Sequence, residues 1–251
     1  NKNDFFLKEI LISENENVLS VKDIYLSNNY RINDIGYIKL DYVDKENLEN
    51  NLQIIKDKKN YKVIGESFNI DKIVTKLLES KNETKQDLFN KDLNLSVDIQ
   101  KIYLDKRNTT NNLKGSLILI DNEVTKLDLV SEFPNEQKIR FTIKSNNKNK
   151  KITTLFSDEA KPLVGRYKFI KGFKEGKLDF FSVKKNKESK STLKIYDFKL
   201  KELPALTKIL TLASLQGIAD LLSGEGIRFN EFEMNFTKND KLMTISEIYA
   251  I

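Results

Sequence analysis

The chain has 251 residues, a formal net charge of +6 and a hydrophobic fraction of 39%, which is enough for one or two globular domains. It contains no cysteine and no histidine. Without cysteine, disulfides and thiolate metal sites are excluded, and without histidine the most common general base and most zinc ligand sets are excluded too. We therefore expect a protein that is not an enzyme and uses no cofactor or metal, with a hydrolase based on Asp or Glu as a minor alternative.

Alternation of apolar and polar residues with a period of two is the dominant pattern, and it predicts β-strands with one buried face. Polar runs such as Asp44–Asn51 and Lys106–Asn112 separate the strands, which favours hairpins over helical crossovers. We predict a mostly β protein with a repetitive antiparallel sheet. The candidate residues of its apolar face are Leu93, Leu95, Val97, Ile99, Ile139, Phe141, Ile143, Tyr196, Phe198, Leu200, Phe232, Met234 and Phe236.

Two segments of the first half resemble each other. Val21–Ser27 and Ile99–Asp105 share an Ile-Tyr-Leu core, and each precedes an apolar strand, Gly36–Asp41 and Gly115–Asp121. Such a repeat predicts an array in which one unit passes its open sheet edge to the next. Chance similarity in a sequence rich in Lys, Asn and Ile is the alternative.

Each repeat leads to a short stretch with helical spacing of apolar residues. Asp71 precedes the first stretch, and Ser157 precedes the second. Both residue types cap helix N-termini, because their side-chain oxygens accept hydrogen bonds from free backbone N–H groups. We predict Asp71 and Ser157 as N-caps of two short helices.

The basic surplus is concentrated in one cluster, Lys144–Lys151. A positive net charge can indicate binding to nucleic acid or to an anionic membrane. This cluster lacks the interleaved aromatic residues on which bases stack. We predict a solvated loop there and no nucleic-acid partner.

The sequence predicts one long helix at residues 204–222, which begins at Pro204 and ends before Ser223-Gly224. A helix that is apolar on most sides must bury more than one face. A membrane span is disfavoured, because Lys208 and Asp220 would each cost about 2.5 to 3.5 kcal/mol near the bilayer centre. The helix therefore packs between a sheet and another part of the protein, or it closes the end of an apolar groove. Its apolar residues are Leu206, Ile209, Leu210, Leu212, Leu215, Ile218, Leu221 and Leu222.

The last part of the chain presents its features in a specific order. They are a short helix from Ser157, a turn into a strand at Gly172–Phe180, an Asp-Phe strand at Lys194–Leu203, the long helix, a Ser-Gly-Glu-Gly turn and the strand Glu231–Phe236. The most specific stretch is Leu212–Phe229, a helix with an internal glycine followed by Gly224, Gly226 and an aromatic residue. In this order the features resemble the C-terminal region of AsmA-like proteins, especially the very long envelope proteins of the YhdP type.

The resemblance implies a fragment of a protein that is anchored in the inner membrane of a Gram-negative bacterium by an N-terminal helix. Residues 1–156 would be a repetitive β-rich groove segment, and residues 157–251 the AsmA-like C-terminal region. The periplasmic sheet would curl into an open, taco-like groove that holds or conducts phospholipid between the inner and outer membranes without covalent chemistry. The implied partners are phospholipid acyl chains, the membrane through the parent's anchor, and envelope proteins. The alternative is a structural or assembly module of outer-membrane biogenesis with an ordinary closed β core.

Overall fold

The computed structural model describes residues 5–74, 92–146, 150–166, 172–201, 226–239 and 242–251. These residues are mostly β, as predicted. The chain divides into two compact units, Asn1–Glu136 and Gln137–Ile251.

The first unit contains eight strands in its described residues, and they pair in chain order. Their bounds are β1 Phe5–Glu14, β2 Asn17–Leu26, β3 Ile32–Val43, β4 Glu49–Asp57, β5 Asn60–Asn69, β6 Leu93–Tyr103, β7 Thr109–Ile120 and β8 Glu123–Glu132.

All pairs in this unit are antiparallel except β5 and β6, which are parallel. A parallel pair needs a long connection that returns the chain to the same end of the sheet. The chain between Asn69 and Leu93 provides it, and residues 71–74 at its start are helical. The prediction of hairpins in place of helical crossovers is wrong at this one connection.

The second unit contains six antiparallel strands in its described residues, again paired in chain order. They are β9 Lys138–Asn146, β10 Lys150–Ser157, β11 Phe173–Lys185, β12 Glu188–Leu200, β13 Ile227–Lys238 and β14 Met243–Ala250. A short helix, α1 Lys161–Val164, lies between β10 and β11.

Aromatic stacking closes one end of the second unit. The Phe198 ring stacks on Phe173 and on Phe229, with ring centroids 5.3 Å and 5.1 Å apart. Leu163 and Val164 of α1 are also buried. Stacked rings of this kind add to the free energy gained from burying their area. This end of the sheet therefore has a closed core.

Both predicted N-caps are wrong. The N-cap of α1 is Ala160, and the Ser157 hydroxyl donates to the Glu159 carbonyl oxygen at 2.7 Å. In the other stretch the Val74 N–H donates to the Ile70 carbonyl, so that Ile70 is the cap and Asp71 is already helical. The spacing of apolar residues locates a helix end only to within one or two residues. That is too coarse to identify the residue whose carbonyl accepts the first helical hydrogen bond.

The two repeat segments form equivalent hairpins. Val21–Ser27 lies in β2 and the turn after it, and Ile99–Asp105 lies in β6 and the turn after it. In the first turn the Ser27 hydroxyl donates to the Arg31 carbonyl oxygen at 3.1 Å. In the second turn an Asp105 carboxylate oxygen accepts the N–H groups of Arg107 and Asn108. A polar side chain at the same point of each repeat thus fixes the turn.

Gly115 in β7 lies where the backbone of β8 approaches most closely. Its φ is +155°, and a Cβ at this position would lie 1.9 Å from the Asp128 carbonyl oxygen. Glycine is therefore required here for both conformation and space.

We predict that Gly115→Ala lowers the free energy of unfolding by about 1 to 3 kcal/mol, because β7 and β8 would have to separate or distort. Urea denaturation followed by circular dichroism measures the change. Lys114→Ala, at the exposed neighbouring position, is the control and should change stability by less than about 0.5 kcal/mol. Equal stability of the two variants would contradict the prediction.

Candidate functional site

Pairing register defines the two faces of each unit, because directly paired residues on neighbouring strands project to the same side. In the first unit one chain of direct pairs crosses all eight strands, and every member is apolar or glycine. We call it the first apolar row. Its members are Ile10, Val21, Ile38, Ile54, Val63, Val97, Gly115 and Leu129.

The second unit has a corresponding line, which we call the second apolar row. Its members are Phe141, Leu155, Phe180, Leu193, Met234 and Ile248, each directly paired with the next. A further line of direct pairs lies on the same face, two residues along each strand from the second apolar row and nearer to the closed core. Most of its side chains are apolar. Its members are Ile139, Ser157, Leu178, Ile195, Phe232 and Ala250.

The two apolar rows are not covered by the described residues. Ile10 and Ile248, on the outermost strands, are 42% and 38% exposed, and the other members are half-buried. By contrast, Ile102 and Phe198 are only 1% and 4% exposed. A row through the middle of a closed β core would be as buried as these last two. Uncovered apolar surface of this extent marks an interaction site or a ligand-binding groove.

The opposite faces carry most of the polar side chains, together with some exposed apolar residues, among them Leu11, Ile64 and Phe156 at 61%, 37% and 41% exposure. In the second unit, the line next to the second apolar row consists of Arg140, Phe156, Asp179, Lys194, Glu233 and Tyr249. In the first unit, the corresponding line consists of Leu11, Ser20, Lys39, Gln53, Ile64, Asp98, Lys114 and Val130. Each unit thus separates an apolar face from a face that water can solvate.

The structure brings most of the candidate residues together within their units. Leu95, Val97 and Ile99 are paired with apolar residues or Gly115 of β7, and Leu93 with Leu119. Phe141, Ile143 and Ile139 share one face with Phe232, Met234 and Phe236 through the intervening pairs.

Tyr196, Phe198 and Leu200 do not join this face as one run. Tyr196 follows Ile195, which belongs to the apolar face, and pairs with Glu231, which places its side chain on the polar face. Phe198 and Leu200 are buried in the aromatic end of the unit. Between them Asp197 has a φ of +51°. The left-handed backbone there interrupts the regular alternation that the sequence pattern assumes.

Four members of the second apolar row, Leu155, Phe180, Leu193 and Ile248, were missed by the sequence analysis. Phe180 is followed by Phe181, and Leu155 by Phe156. An apolar doublet has no alternation, so that the pattern does not show which member faces the apolar side. The pairing of Leu155 with Phe141, and of Phe180 with Leu155 and Leu193, places both residues on the apolar face.

The predicted helix 204–222, from Leu206 to Leu222, lies outside the described residues. Within the described ranges no helix is long and apolar enough to cross a bilayer. The same ranges contain no group of His, Cys, Asp and Glu side chains that could hold a metal ion.

An ionic network joins three strands on the polar face of the second unit. The Lys194 Nζ lies 2.6 Å from a Glu233 carboxylate oxygen and 3.2 Å from a Glu231 oxygen. The Tyr249 hydroxyl and the Asn235 amide each donate to Glu233 at 2.7 Å. Hydrogen bonds from Lys194, Tyr249 and Asn235 lower the pKa of Glu233 to about 2. The hydrogen bond to Glu233 raises the pKa of Tyr249 to about 12.

Comparison of the chain with family models, with curated proteins and with solved structures gave no match.

The Glu233 carboxylate should stabilise the fold in a pH-dependent manner. Its folded pKa of about 2 is below the value of about 4.3 expected for an unfolded chain. Its contribution is therefore complete above about pH 5 and is lost as the pH falls towards 2. We predict that Glu233→Gln is less stable than the wild type at pH 7 and that the difference shrinks between pH 5 and pH 2.

Chemical denaturation at a series of pH values measures this effect. Glu188→Gln, at the exposed β11–β12 turn, is the control and should leave the pH profile nearly unchanged. A constant difference between Glu233→Gln and the wild type over the whole range would rule out the ionic contribution.

Proposed function

We propose that the apolar faces of this protein hold lipid acyl chains and allow a lipid to pass from strand to strand without covalent chemistry. The observation that supports this most directly is the pair of uncovered apolar rows. Each crosses every strand of its unit through direct pairs and stays accessible to solvent.

The dimensions suit an acyl chain. With strands about 4.8 Å apart, the first row extends about 34 Å and the second about 24 Å. The acyl chains of one leaflet reach about 15 Å, half of a bilayer core of about 30 Å. Each row is therefore longer than the lipid tail that would lie against it, so that a tail could move along it and stay in apolar contact.

The energetics favour such a surface. Each methylene group removed from water contributes about 0.8 kcal/mol. The backbone needs no further partners on this face, because the strands satisfy their N–H and C=O groups within the sheet. Apolar side chains can then line the face without leaving buried polar groups unpaired.

The resemblance to the C-terminal region of AsmA-like proteins supports the same proposal and extends it. In that extended form the sheet curls into an open groove, and the helix 204–222 lies at its end. The chain then belongs to an inner-membrane-anchored periplasmic protein that moves phospholipid towards the outer membrane.

The alternative, an assembly module with a closed β core, is disfavoured by the half-buried state of Phe180, Leu193 and Met234. In a closed core these side chains would have little contact with solvent. The closed packing in the second unit lies at the aromatic end, around Phe198.

We predict that a photo-reactive amino acid placed at Phe141 or Met234 captures phospholipid when the protein is illuminated with lipid present. Mass spectrometry of the adduct identifies the captured molecule. The matched controls are Thr142 and Asn235, each the next residue on the same strand but on the polar face. Their captured fraction should be several-fold lower.

Equal capture at Thr142 and Phe141 would indicate non-specific adsorption and would overturn the proposal. Capture of protein alone at the apolar positions would favour the assembly module. A probe at Phe198 is a further control, because its burial in the aromatic end should keep it from lipid.

A further inference from the structure

A line of lysines borders the second apolar row on the same face. Another line of direct pairs crosses the sheet four positions further along each of the strands β9 to β13. It passes through Ser145 on the strand of Phe141 and through Lys184 on the strand of Phe180. We call this line the lysine row. Its members are Ser145, Lys151, Lys184, Ser189, Lys238 and, on β14, Met243.

Hydroxyl groups lie between the lysine row and the second apolar row. Thr153, Ser182 and Ser191 are directly paired across β10, β11 and β12, and the Ser191 hydroxyl donates to that of Ser182 at 2.9 Å. Along β11 the face therefore changes from Phe180 through a hydroxyl to Lys184. That distance is about 14 Å, and the order matches the tail and the phosphate of a phospholipid, with Ser182 and Ser191 themselves buried at 8% and 7% exposure.

No acidic residue of the described strands lies directly opposite a lysine of this row. Lys151 lies directly opposite Lys184, and the next residues of the row on either side are Ser145 and Ser189. Like charges that are directly opposite destabilise a sheet. On the other face of the same hairpin Lys185 lies opposite the acidic residue Glu188.

Two members of the row have no anionic partner in the structure. Among the described residues no ion pair involves Lys184 or Lys238. By contrast, Lys194 on the polar face has two carboxylate partners. An anion placed over the row would pair with the ammonium groups of Lys184 and Lys238, and phosphate oxygens accept charge-assisted hydrogen bonds from ammonium groups.

We propose that the lysine row binds the phosphate group of a phospholipid whose acyl chains lie against the second apolar row. This inference rests on the proposed function. It adds that the site prefers lipids with an anionic phosphate head group over neutral lipids with the same tails, and that it fixes the direction in which the lipid lies.

The test compares two fluorescent short-chain lipids that carry the same labelled tail, a phosphatidic acid and a diacylglycerol, both below the concentration at which they aggregate. The binding variant is Lys184→Gln/Lys238→Gln. The matched control is Lys144→Gln/Lys190→Gln, which removes the same charge from the same end of the strands but from the polar face. Circular dichroism confirms that both variants fold.

The binding variant should weaken phosphatidic acid binding about 30-fold, since each of its two lysines near an anionic lipid contributes about 1 kcal/mol. It should leave diacylglycerol binding unchanged, and the control variant should bind both lipids like the wild type. The difference should diminish with added salt.

Equal weakening by both variants would reduce the effect to net charge and would overturn the inference. So would unchanged phosphatidic acid binding by the binding variant. A third result is that inorganic phosphate at millimolar concentration binds through Lys184 and Lys238 while the labelled lipid stays bound. That result would assign the row to free phosphate and would overturn the inference. Failure of the wild type to bind either lipid would instead overturn the proposed function.

Discussion

The register of the backbone hydrogen bonds is the constraint on which the rest of this structure depends. Each direct pair places two side chains on the same face, so that an unbroken series of pairs turns scattered apolar residues into one line. Phe141 and Ile248 lie far apart in the sequence, and five successive pairs place them on one surface. A shift by a single residue on any strand would move its apolar residues to the other face.

Much of the fold could be predicted from the sequence, because alternation reports directly which side chains of a strand share a face. It identified Phe141 with Ile143 and Phe232 with Met234, and these lie together in the structure. It could not identify Phe180 or Leu155, each of which has an aromatic neighbour on the opposite face. Periodicity assigns residues to a face only while the backbone stays regular.

Departures from regular backbone account for the wrong assignments. Because Asp197 has a left-handed conformation, the Tyr196 side chain lies on the polar face and Phe198 lies in the aromatic end. The sequence itself alternates regularly from Tyr196 through Asp197 to Phe198. The parallel pairing of β5 with β6 follows from the path of a connection, which the composition of neither strand reveals. Both features are properties of tertiary structure, and no local propensity encodes them.

The second unit is stabilised mainly on its polar face and at its aromatic end. On the polar face the Lys194–Glu233–Tyr249 network ties β12, β13 and β14 together through charge-assisted hydrogen bonds. At the end of the strands the stack around Phe198 supplies a closed core. Because stability comes from these two places, the fold does not require the second apolar row to be buried, and its members remain half-exposed. A ligand gains most binding free energy on surface whose apolar or charged groups have no partner in the folded protein. In the second unit the second apolar row and the lysines Lys184 and Lys238 lie side by side on one face.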